Sequence, residues 1–151
     1  MQMIEDLPEK AREEIKRADH LVYVTLKYTR TCDVIKSIIK RLISAFDYAF
    51  LEILEHLKEI KKIREIPTSK KERVNLVLKN FKEDIDEFIK LYELLKVIDS
   101  AEYSKKEEYR KHVALIAHLP KGDLEVDIPK VTEYFDTTKQ FVAVANSYIF
   151  S

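Results

Sequence analysis

One glycine, one cysteine, four prolines and no tryptophan occur in 151 residues. Each shortage excludes something. Phosphate-cradling loops and dinucleotide fingerprints need several glycines so that backbone can approach phosphate closely, and Gly122 stands alone. Cys32 has no second cysteine, so an internal disulfide and a zinc–thiolate cluster are both ruled out, which suits a reducing cytoplasm. The longest uninterrupted aliphatic run, Val113 to Ala117, is far too short to span a bilayer. The opening residues MQMIEDLPEK show no basic start followed by an apolar stretch, so no signal peptide is expected. A cytoplasmic chain with no membrane association is the expectation. Glutamine and asparagine are scarce beside abundant glutamate and lysine, a bias that fits a hot environment.

What is present is 46% apolar and 36% charged residues, enough for one substantial core. Residues 1–151 read as a single helical-bundle domain without repeat, linker or low-complexity segment. A formal net charge of zero argues against a generally basic nucleic-acid binder, but the charges are unevenly placed. Residues 58–73 carry a net +4 and residues 83–93 a net −4. The bland reading is two solvated helix faces. The sharper one is an RNA or acidic-partner surface built from Lys58, Lys61, Lys62, Arg64, Lys70, Lys71 and Arg73.

Apolar periodicity predicts five helices. The first runs from about Pro8, a residue suited to a first helical turn, to Arg30 on Ala11, Ile15, Ala18, Val22, Thr25 and Thr29. The second has the strongest signal, with Ile35, Ile39, Leu42, Phe46, Ala49, Ile53, His56 and Ile60 at alternating steps of four and three. Its breadth demands neighbours on more than one side, so it is expected at the centre. Between these two, Thr31 or Asp33 is placed to cap the second helix, although one bent helix is the rival reading. Ser69 to Glu72 has capping-box form and opens a third helix on Val74, Val77, Leu78 and Phe81. A fourth uses Ile85, Phe88, Ile89, Tyr92, Leu95 and Ile98, followed by a loop from Asp99 to Lys106.

The period then changes from helical to alternating. HVALIAHL and LEVDI flank PKGD and predict a small β-hairpin before the last helix. With PKGD as a four-residue loop, Leu119 pairs with Leu124 and His118 faces Glu125. Residues 110–118 as helix remain the alternative. Pro129 opens the final helix, with Val131, Tyr134, Phe135, Thr138, Phe141, Val142 and Ala145 on one side. The class is mostly α, and α+β by strict count.

Chemistry-bearing motifs are few. None of the four histidines follows a glutamate by three residues, so the Glu-x-x-His pairs of di-metal bundles are missing, as is a His-Glu-x-x-His zinc helix. No metal site and no cofactor is expected. His56 alone lies on a seam, with Glu52 and Glu59 a turn away on either side, and reads as a core or boundary histidine. Cys32 has no histidine nearby in sequence to activate it and reads as an inert small residue. Tyr92 and Tyr134 fall on core stripes, so the tyrosines read as packing unless they cluster on a basic face.

The succession of helices headed by ADHLVYVTLKYTRTCDVIKSIIKRL resembles a family of small, uncharacterised archaeal helical proteins. The bundle also resembles HEPN domains, helical modules found in nucleotide- and RNA-related defence systems. Catalytic HEPN members carry Arg followed after four to six residues by His. Here Arg12 and His20, and Arg110 and His118, are each separated by seven residues, and Arg17 and His20 by two. The resemblance therefore implies binding or scaffolding and no RNA cleavage. The expectation is a non-catalytic protein-interaction module that forms a homodimer, its apolar end Tyr148-Ile149-Phe150 being the motive, with an unknown protein partner beside it. The alternatives are RNA binding through residues 58–73 and an enzyme whose groups converge only in space.

Overall fold

The computed structural model describes residues 2–81 and 83–150, with side chains from residue 9 onward. Helix α1, Gln2–His20, starts ahead of Pro8 and passes into a π-helical turn, Leu21–Thr25, and a closing turn, Leu26–Tyr28. Ala11, Ile15, Ala18 and Val22 are buried as their spacing requires, but the stripe continues through Leu26 and leaves Thr29 exposed. A π turn takes more residues per revolution than an α turn, so the residue four beyond Val22 returns to the core face. His20 lies on the exposed side.

Two helices, not one bent rod, meet at residues 29–31. Thr31 is the cap: its hydroxyl accepts the Val34 amide at 3.3 Å and opens α2, Cys32–Glu59. A residue far along the chain shares the task, since the Glu108 carboxylate accepts the Cys32 amide at 2.8 Å. The Tyr109 amide donates to the Arg30 carbonyl at 2.6 Å, and the Cys32 thiol donates to the Ala114 carbonyl at 3.2 Å. Orphan amides of a helix start need such partners, and here a distant loop and strand provide them. Burial pushes the Cys32 thiol pKa up, which fits an inert structural thiol.

α2 is the central rod. Ile35, Ile38, Ile39, Leu42, Phe46, Ile53, Leu54 and Leu57 are all essentially inaccessible, and every other helix packs on it. Its middle carries an aromatic cluster in which Phe46 stacks on Phe141 at 5.1 Å and Phe50 meets Tyr92 edge-on at 5.0 Å. Ile60 falls outside the seam because the helix stops at Glu59 and Lys61 turns left-handed, with φ of 64°. The amides of Lys61 and Lys62 then close back onto the carbonyls of Lys58 and Leu57, a Schellman-type ending with lysine where glycine is usual.

α3, Lys70–Asn80, begins at Ser69, whose hydroxyl accepts the Glu72 amide. α4, Asp86–Ser100, buries Ile89, Tyr92, Leu95 and Ile98. The expected loop after α4 contains a strand, β1, Tyr103–Lys106, that pairs with β2, Ala114–Leu119, which in turn pairs with β3, Gly122–Asp127. The expected hairpin is thus two thirds of an antiparallel meander. Its register differs by two: Leu119 faces Gly122, Ala117 faces Leu124 and His118 faces Asp123. Only Pro120 and Lys121 form the turn, because Gly122 already lies in the strand with φ of +128°, a conformation open to glycine. A slip of two preserves the alternation of faces. Leu115, Ala117 and Val126 still face the helices, and His118 and Glu125 still face outward.

The last helix, α5, Ile128–Phe150, starts where Asp127 accepts the Lys130 amide at 2.9 Å. Its buried set is Val131, Tyr134, Phe135, Thr138, Phe141, Val142 and Ala145, the face expected from its spacing. One hydrophobic cluster runs from Ala11 to Ala145 and includes both helices and sheet. No described helix is long and apolar enough to cross a membrane.

Candidate functional site

A concavity lies at the far end of α2. An open groove of about 620 Å³ is lined by Lys62 from the α2–α3 connection, Asn80 at the end of α3, Phe81 and Glu83 just after it, and Ala143, Val144, Ser147 and Tyr148 of α5. Local sequence explains the walls. The left-handed ending at Lys61 turns the chain away from α2. Phe81 closes α3 by donating its amide to the Val77 carbonyl. Tyr148 then packs against Phe81 at 4.7 Å between ring centres and against the edge of His56 at 5.7 Å. The groove therefore has an aromatic floor and a mixed rim, with Lys62 and Glu83 as opposite charges.

Of the seven basic residues singled out, Lys58, Lys61, Lys62, Arg64, Lys70 and Lys71 are exposed and Arg73 is half-buried. Two serve the fold. Lys70 pairs with Asp47 at 3.2 Å, and the Arg73 guanidinium donates to the Pro67 carbonyl at 2.6 Å. Asp47 also accepts the Tyr92 hydroxyl, so Lys70 closes a small buried-to-surface network. Burial, followed by that hydrogen bond, raises the Tyr92 pKa. Lys62 alone of the seven lines the groove.

His56 is half-buried and faces Tyr148, a boundary position. Its neighbour Glu52 is the surprise. It is 3% exposed, neither carboxylate oxygen has a hydrogen-bond partner among the described residues, and burial pushes its pKa to about 7 against the pull of nearby Arg12. The signal was present: Glu52 continues the spacing of Ala45 and Ala49, small residues that let α1 approach closely through Ala11 and Ala18. A wholly buried carboxyl does not reach the groove. His56 and Glu52 lie one turn apart on the same helix flank, the histidine half-buried and the carboxyl buried. Among the described residues, no cluster of three or more His, Cys, Asp or Glu side chains has metal-holding geometry.

Comparison with protein-family models, curated proteins and solved structures finds no match for the chain.

Proposed function

We propose that the protein is a self-associating interaction module that docks a second copy of itself along the groove and the end of α5. The carrying observation is the composition of that end. Ala143 and Ser147, one turn apart, are small and exposed, Val144 and Ile149 are half-buried, and Phe150 is 68% exposed. Small residues one turn apart let two helices approach closely, and neighbouring apolar side chains fill the contact. An exposed apolar strip beside a preformed groove is the surface a two-fold interface needs, since the same patch meets itself. Tyr148 is drawn back onto its own bundle by Phe81 and His56, so Val144 and Phe150 are left to reach across.

Sedimentation at tens of micromolar should give twice the 17.9 kDa chain mass. Ala143→Arg and Ser147→Glu should each return it to one chain mass while it stays folded, with a melting temperature that no longer rises with protein concentration. A monomer throughout that range would overturn the reading.

A second reading is RNA binding, favoured by Lys62 beside the paired rings of Phe81 and Tyr148. Single-stranded nucleic acid is held by stacking rings and a basic track. Lys58, Lys61, Arg64 and Lys71 would supply that track, and the likeness to HEPN bundles would fit it without cleavage. Retention on single-stranded RNA that falls steeply with salt, and falls further in Lys62→Glu, would favour it.

A further inference from the structure

On the outward face of the sheet, one polar side chain from each strand joins a hydrogen-bonded chain. The Ser104 Oγ lies 2.6 Å from His118 Nε2, and His118 Nδ1 lies 2.8 Å from Asp123 Oδ1. The protons follow from the chemistry. A carboxylate only accepts, so Nδ1 carries the hydrogen; the neutral ring is then bare at Nε2 and accepts the Ser104 O–H. A hydroxyl on a base that is itself oriented by a carboxylate is the arrangement that turns serine into a nucleophile.

The local fold places all three. The two-residue turn brings Asp123 opposite His118, and β1 lies on the other side of β2 with the His118 amide donating to the Glu102 carbonyl at 2.8 Å. That bond sets the ladder: the amides of Ser104 and Lys106 turn toward β2, and the Lys105 amide turns to the open edge of the sheet. Lys106 lies two residues from Ser104 on the same face, its ammonium held by Glu125 at 3.0 Å. The group is open to solvent, with the His118 side chain 42% exposed and that of Asp123 62%.

We propose that Ser104 is a nucleophile toward activated carboxylic esters with short acyl groups, with His118 as its base and Asp123 as a positioning residue. The Oγ–carbonyl bond forms as the hydroxyl proton passes to His118 Nε2. The bond to the leaving alcohol then breaks, and that oxygen takes the proton from the imidazolium. Water attacks the acyl-serine with the same base, releasing the acid and restoring Ser104. The open face favours esters presented on a surface over enclosed small metabolites.

The test uses the full chain with para-nitrophenyl acetate and, separately, an alkyl fluorophosphonate, read by intact mass and peptide mapping. One adduct should form, on Ser104, and disappear in Ser104→Ala. Labelling should slow about a hundredfold or more in His118→Ala, the scale of a lost general base. Asp123→Asn should slow it less, with partial recovery in Asp123→Glu, which a merely structural role would not give. Melting curves matching wild type would show that each variant is folded. An unmodified Ser104 in folded protein, or a rate in His118→Ala within about twofold of wild type, would overturn the assignment.

Discussion

The two ends of α2 are built in opposite ways. At its start, Cys32 is sealed from solvent and its amide, its thiol and the preceding Arg30 carbonyl are all engaged by residues of the 108–114 segment. At its finish, a lysine takes a left-handed conformation, Ile60 is 46% exposed, and the flanking space is a groove. The same helix is anchored at one end and open at the other. The anchored end carries partners far apart in sequence, which resist local fraying; the open end relies on its own last turn and on the Phe81–Tyr148 packing. A docking surface belongs where the fold leaves apolar groups incompletely covered.

Substitutions break or sharpen that contrast. The largest effect is expected midway between the ends. Phe46→Ala removes a ring in contact with Phe50, Tyr92 and Phe141 and should cost about 3–5 kcal/mol by chemical denaturation, loosening both ends together.

Next is Glu52, about two turns before the open end. Its carboxyl pKa is raised to about 7 by burial, so the folded state holds a proton that the unfolded state releases at lower pH. Stability attached to that proton is complete below the ordinary glutamate pKa and is lost as pH climbs through about 7. Glu52→Gln should therefore match wild type near pH 4 and exceed it above pH 8 by on the order of 2–3 kcal/mol, read from denaturation midpoints across pH.

At the anchored end, Glu108→Ala leaves the Cys32 amide without its carboxylate and should cost about 1–2 kcal/mol, with faster amide exchange confined to the first turn of α2. The smallest change has the opposite sign. Lys61→Gly relieves a left-handed lysine and should stabilise by about 0.5–1 kcal/mol, with amide exchange slowed only at the finish of α2.

Much of this was legible in sequence where side chains repeat against a single face. The buried residues of α5 and the seam of α2 up to Ile53 follow directly from spacing, and Thr31 and Ser69 announce their helices by chemistry. Features that depend on remote partners were not legible. β1 reads YSKK, with only Tyr103 turned toward the core, so an edge strand looks like a loop until β2 pairs with it. Counting PKGD as a loop assigned Glu125 to His118, whereas the φ of Gly122 shortens the turn and delivers Asp123. Glu52 hid for a different reason. A charged residue on a helix flank is ordinarily solvated, and only the close approach of α1 through small residues buries it.

The contrast between a sealed and an open end is tested most directly by cysteine cross-linking. A cysteine replacing Ser147 lies on the open face, one replacing Lys27 lies near the anchored end, and native Cys32 is fully buried. On mild oxidation at low micromolar concentration, Ser147→Cys should convert to a covalent dimer, and Lys27→Cys should remain monomeric. Equal cross-linking of the two variants, or none in Ser147→Cys with the protein sedimenting as a monomer, would contradict the account.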